Sequence, residues 1–92
     1  MIENFTHRGL KRLFERGITR GFPPDLVPKI KRILHQLEVA TTIDDMNIPG
    51  WQLHKLGGNK KDHWAVWVNR NFRVWFLFED GNAFDVDYGD YH

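Results

Sequence analysis

Apolar residues return along this chain with two different periods, and the change falls near residue 50. Leu10, Leu13 and Phe14 stand at helical spacing ahead of Gly17, which predicts a first helix starting beyond Gly9 and stopping at that glycine. Gly21 and the pair Pro23-Pro24 cannot continue a helix, so residues 19–24 form a loop. Asp25 follows at an N-cap position. Leu26, Val27, Ile30, Ile33, Leu34, Leu37 and Ala40 then recur mostly at three and four residues, the stripe of a second helix that leaves Lys29, Lys31 and Arg32 outside. Pro28 falls in its first turn, where the missing amide proton costs little. Residues 43–49 read as a turn or a single helical turn.

From Trp51 onward the period is two. Trp51 and Leu53 oppose Gln52 and His54; Trp64, Val66 and Val68 oppose His63, Ala65 and Trp67; Phe72, Val74, Phe76 and Phe78 oppose Arg73, Trp75 and Leu77. Turn signals separate these runs at Gly57-Gly58-Asn59, at Asn69-Arg70-Asn71 and at Glu79-Asp80-Gly81-Asn82, the last being an Asp-Gly hairpin signal. A final strand follows with Phe84, Val86 and Tyr88 inward, and Met1 to Phe5 suggests a short edge strand. The order predicts an α+β fold: two N-terminal helices packed on the Phe72, Val74, Phe76 and Phe78 face of an antiparallel sheet of about four strands.

Ninety-two residues support one hydrophobic core, so residues 1–92 are expected to form a single domain. With no cysteine there are no disulfide staples, no thiolate metal ligands and no Cys nucleophile, which suits a reducing cytoplasm. The longest apolar runs, 64–68 and 74–78, are far short of a membrane span, and the start lacks the apolar core of a secretion signal. The net charge of +1 conceals a division of sign. Residues 7–36 hold eight bases against two acids, residues 51–73 five against one, and the last nineteen residues five acids with no base. Two cationic segments before an acidic end point to a polyanionic or acidic partner.

The sheet face opposite the helices would carry His54, Arg73, Trp75 and His63, too polar a set for a core. Five histidines invite a metal, yet none shows HExxH or HxH spacing, and there is no phosphate-binding glycine loop or GxSxG elbow; no metal and no cofactor are expected. His7 and His35 fall on helix-side segments and read as surface imidazoles. What remains suits phosphodiester cleavage. RNA supplies its own nucleophile, the 2′-hydroxyl, so cleavage needs only a base, an acid and a cation for the developing charge. A lone His and a lone Arg on a sheet face are also common in purely structural networks, and these residues alone leave both readings open.

Three blocks carry more information: MIENFTHRGLKRLFERG at the start, WQLHKLGGNKKDHWAVWVNRNFRVWF in the middle and DVDYGDYH at the end. Together they resemble the HigB branch of the RelE-like toxins of type II toxin-antitoxin systems, over nearly the whole chain. The resemblance implies two N-terminal helices on a curved antiparallel sheet, and a ribosome-dependent endoribonuclease that cleaves mRNA in the A site and inhibits translation. It implies the 70S ribosome and mRNA as partners, with a cognate HigA-like antitoxin carrying a helix-turn-helix DNA-binding domain.

At matching positions it implies His54 and His92 as the imidazoles, Arg73 as the phosphate-facing arginine with Asn71 beside it, and Asp90 and Tyr91 as members of the terminal motif. On this reading His92 leads as general base toward the 2′-hydroxyl, Asp90 orients an imidazole, His54 is the partner acid and Arg73 the transition-state cation. Base and acid can be exchanged without conflict. Lys55, Lys60, Lys61 and Arg70, with Arg8, Lys11, Arg12, Lys29 and Arg32 from the helical segments, would meet RNA and ribosomal phosphates. One departure stands out: Gly57 occupies a place where some relatives have lysine, so a loop lysine must supply that charge or activity is reduced. The rival reading is a non-catalytic RNA- or ribosome-binding module with Trp67 or Trp75 stacking bases, which does not need His54, Arg73 and His92 together. A toxin relative that has lost activity is a third.

Overall fold

The computed structural model describes residues 1–90. Helix α1 (Arg8–Arg16) starts one residue before Gly9 because His7 caps it, its Nδ1 accepting from the Leu10 amide at 3.1 Å. His7 is therefore half-buried and not the surface imidazole its position suggested; its ring lies 5.7 Å from those of both Phe22 and Tyr88. Gly17 ends α1 in the left-handed region at φ 69°.

Helix α2 (Val27–Val39) also departs from expectation at its start. Leu26 holds the N-cap position with no side-chain bond, because the chain already turns there, the Leu26 amide donating to Pro23 O at 3.0 Å. Asp25 thus falls one residue too early to cap, and it is exposed. The stripe is as expected: Ile30, Ile33, Leu34 and Leu37 are all buried. A 3-10 turn (Ile43–Met46) follows, secured by Asp45, whose carboxylate accepts from the amides of Thr41 and Thr42. These amide bonds hold its carboxyl below the usual carboxylate range.

Strands β1 (His54–Lys55), β2 (Trp64–Trp67), β3 (Phe72–Glu79) and β4 (Asn82–Asp90) form an antiparallel meander in the order β1-β2-β3-β4. β1 is shorter than the run 51–56 suggested, because Gln52 takes φ 54° and breaks the extended backbone. The Asp80-Gly81 hairpin is as expected, with φ 51° and 79° at the two turn positions and Glu79 paired to Asn82. In β4 the strict alternation fails. Register shifts between Trp75 and Leu77, and Asp85 takes φ 52°, a bulge that adds one residue to β4. Ala83 and Val86 therefore face the core, whereas Phe84 pairs with Leu77 on the other side, contrary to the inward placement of Phe84. The N-terminal segment is an edge element as expected, making isolated parallel bridges from Ile2 to Ala83 and from Phe5 to Val86.

Both helices cover the face of Val74 and Phe76, and one core cluster joins Leu10, Leu13, Ile30 and Ile33 to Val66, Val74, Phe76 and Val86. Gly9 is fixed by this packing: a Cβ there would stand 2.8 Å from His7 Cε1 and 3.1 Å from the capping Nδ1. Gly9→Ala is accordingly expected to lower stability by about 1–3 kcal/mol, although alanine is the better helix former, because the methyl displaces the capping ring. A thermal melt checks the sign, and a raised midpoint would contradict the capping geometry.

Candidate functional site

The sheet face turned away from the helices is ordered by strand register. His54 pairs with Ala65, Ala65 with Trp75 and Trp75 with Asp87, one row across all four strands. The next row is Trp67, Arg73 and Gly89. Ladder spacings put His54 and Arg73 roughly 12 Å apart at their Cα atoms, two strands and one row from each other, within reach of converging side chains.

His54 stands half-buried on the edge strand, and its Nδ1 lies 2.6 Å from the carbonyl oxygen of Gln52. A carbonyl only accepts, so Nδ1 carries the proton and the neutral ring keeps its lone pair on Nε2. The left-handed Gln52 residue that shortens β1 is also what turns this carbonyl onto the ring.

Arg73 is buried at 8% exposure. Its Nη1 donates to the carbonyls of Asn69 at 2.7 Å, Arg70 at 3.0 Å and Phe72 at 3.2 Å, and Cζ lies 4.1 Å from the Trp67 ring centroid. The guanidinium is thus fixed by the β2–β3 turn and stacked on an indole. Asn69 builds that turn, its Oδ1 accepting from the amides of Asn71 and Phe72. Neither Asn69 nor Trp67 was singled out with Arg73, because their contacts with it depend on how the turn closes.

The remaining expected residues divide. Lys60 reaches the face, its Nζ 5.6 Å from the Trp75 ring centroid, brought there by a 3-10 turn (Gly58–Lys60) that begins after Gly57. Lys55 goes elsewhere, over Trp64 at 5.2 Å. Lys61, Arg70 and Asn71 are exposed around the same face. Arg8, Lys11, Arg12, Lys29 and Arg32 lie on α1 and α2, the helix side of the sheet, so the two basic segments form separate surfaces. Lys29 is partly covered, and burial followed by the nearby Arg32 charge lowers its pKa.

Asp90 pairs with Phe72, which places it at the exposed end of β4 on the helix side with Tyr88, one residue out of phase with Arg73 and Gly89. Burial and the Asp90 charge push the Tyr88 hydroxyl up, keeping it a neutral phenol. Tyr91 and His92 lie outside the described residues. One group went unnoticed in the sequence: Asp87 puts a carboxylate in the His54 row, a place set by the β3–β4 register. His63, on the same face, has a buried Nδ1 without a hydrogen-bond partner among the described residues. Among those residues no group of three or more His, Cys, Asp or Glu side chains is arranged to hold a metal ion, and no helix is long and apolar enough to cross a membrane.

A model of the RelE-like toxin of the type II toxin-antitoxin system HigB matches residues 3–92. The chain belongs to the HigB-like toxin family. This HigB-like toxin is 40% identical over 92 residues to a Proteus vulgaris protein named Endoribonuclease HigB, the match spanning all of both chains. Its fold is similar to that of a conserved hypothetical protein of Helicobacter pylori solved in solution, with a TM-score of 0.51 and 14% identity over 89% of this chain and 88% of that one. At that identity the likeness speaks for the fold alone. As the toxin of a type II pair, the HigB-like chain has an antitoxin as its partner.

Proposed function

We propose that this toxin is a ribosome-dependent endoribonuclease that cuts mRNA in the A site on the outer face of its sheet. The coarse part, an endoribonuclease of a toxin-antitoxin pair, agrees with the family and with the relative's name. The observation that carries the finer part is the pairing, on one face, of an imidazole whose Nδ1 is tied to a carbonyl with a guanidinium fixed on an indole.

In the reaction a base takes the proton from the 2′-hydroxyl, and that oxygen attacks the adjacent phosphorus. The P–O5′ bond breaks, and an acid returns a proton to the leaving 5′-oxygen. The products are a 2′,3′-cyclic phosphate and a 5′-hydroxyl. His54 exchanges protons through Nε2, with His92 as its counterpart, leading as base toward the 2′-hydroxyl. Asp90 and Tyr91 belong to the same terminal motif. Arg73 stabilises the charge that grows on the phosphorane oxygens. Lys60 takes the place of the charge absent at Gly57, and Asn71, Arg70, Lys55 and Lys61 bind the surrounding RNA backbone. The helix bases, on the other side of the sheet, dock on ribosomal phosphates. The antitoxin, with its helix-turn-helix domain, restrains the toxin in the cytoplasm.

The test is primer extension on a defined message, with and without ribosomes programmed by it, using the toxin and a form lacking His92. Cuts inside A-site codons that require ribosomes and vanish with His92 are expected. Cuts on free message would overturn ribosome dependence; ribosome binding with no cuts would overturn the nuclease and leave a binding module.

A further inference from the structure

Two tryptophans stand on the outer face, and the cleavage chemistry uses neither. Trp67 is occupied by the Arg73 guanidinium at 4.1 Å. Trp75 is in a different situation. It lies half-buried in the middle of β3, with Ala65 beside it on β2 and Asp87 on β4. Its indole leans diagonally over β4: a Cβ on Gly89 would stand 2.9 Å from Cη2 and 3.5 Å from Cζ3. Only a residue without a side chain leaves room for the ring there. Ala65, on the other flank, is small and wholly buried although it belongs to the outer face. A large ring is thus laid between two of the smallest residues, across the sheet instead of upright from it.

Of the three half-buried tryptophans, Trp64 packs against the core cluster and Trp67 carries the Arg73 guanidinium, whereas Trp75 has neither the core nor a fixed guanidinium against it. Among the described residues the ring–ring contacts Phe5–Phe14, Phe22–Tyr88, Phe72–Tyr88 and Phe76–Phe78 are all made by other rings, and none includes Trp75. Its companion is Lys60, an exposed residue whose ammonium lies 5.6 Å from the ring centroid. A cation on a long flexible stem is a displaceable cover. When a flat aromatic group arrives, the lysine can leave the ring for an anion carried by the same molecule, exchanging a cation–π contact for an ion pair. A nucleotide is such a molecule, with a π-face and a phosphate together.

We propose that Trp75 is the stacking platform for one nucleobase of the bound RNA, with Gly89 giving the indole its position and Lys60 receiving the attached phosphate. The proposal rests on the RNA-cleaving reading above and adds to it a base-binding site. Trp75 shares a row with His54 and neighbours the row of Arg73, so a base held on it presents its sugar-phosphate to those two groups. Stacking tolerates every base but strengthens with ring area. The platform therefore gives this toxin a purine preference at one position of the A-site codon.

The test is a cycle between protein and RNA that does not depend on cleavage. Ribosomes are programmed with messages whose A-site nucleotides are 2′-deoxy, so that the nucleophile is missing, and in which each of the three bases in turn is replaced by an abasic residue. Affinity is measured for the wild-type toxin, Trp75→Ala, Trp75→Phe and Gly89→Ala, each checked by melting. Trp75→Ala is expected to weaken binding of the intact message about ten- to a hundredfold. At one codon position the abasic message should bind wild type as weakly as the intact message binds Trp75→Ala, with no further loss when both changes are combined. Trp75→Phe should retain most of the affinity, and Gly89→Ala should follow Trp75→Ala because the added methyl lifts the indole. Losses that simply multiply at all three positions would overturn the platform. Cleavage of the matching ribonucleotide messages is scored in parallel, so a toxin that binds with this coupling but does not cut would sink the nuclease reading alone.

Discussion

Replacing His54 by Ala is expected to lower single-turnover cleavage on programmed ribosomes by about 10²–10⁴-fold, the usual contribution of a positioned proton-transfer group. The loss should appear in the rate of the chemical step with little change in affinity, because on the proposed mechanism the ring meets the reacting atoms and not the bulk of the RNA. Stability should hardly move. The side chain is half-buried on a two-residue edge strand and, among the described residues, its hydrogen bond is to the nearby Gln52 carbonyl. His54→Gln is the sharper variant: an amide can keep a bond to that carbonyl but cannot exchange a proton near neutral pH, so it should be as slow as alanine. A His54→Gln toxin that cleaves at near wild-type rate would remove His54 from the chemistry and leave it a positioning residue.

How much of this was legible in the sequence depends on whether a feature is local. The Asp80-Gly81 turn, the α2 stripe and the stop at Gly17 were readable because a few adjacent residues determine them, through positive φ or through a period of 3.6. The bulge at Asp85 was not. Its residue adopts φ 52° with no Gly or Asn-Gly signal to announce it, and one extra residue turned Phe84 outward. His7 carried no mark of a cap either, since imidazole is rarely the residue that closes a helix start. On the site, alternation placed His54, Arg73 and Trp75 on one face. What it could not give was the Trp75–Gly89 contact, because that depends on the register between β3 and β4.

Arg73→Ala is expected to lose about 10²–10³-fold in cleavage and, separately, about 2 kcal/mol in stability, or roughly 10 °C in melting temperature for a chain of this size. The two losses have different origins. On the proposed mechanism the first is the cation for the phosphorane charge; the second is the pair of carbonyls of Asn69 and Arg70 left without this donor, together with the stack on Trp67, while the Phe72 carbonyl keeps the Val68 amide at 2.9 Å. Asn69→Ala separates them. It removes the Oδ1 that accepts from the Asn71 and Phe72 amides and so loosens the same turn, while the guanidinium remains. That variant should share the loss of stability and keep most of the rate. Arg73→Lys should fall between, since an ammonium keeps the charge but cannot reproduce a planar group held by several carbonyl acceptors and stacked on an indole. If Asn69→Ala and Arg73→Ala were equally slow, Arg73 would act on catalysis only through the shape of the turn. If instead the rate follows charge across Arg73→Lys and Arg73→Ala while stability follows the turn, the buried guanidinium is doing two jobs from one position.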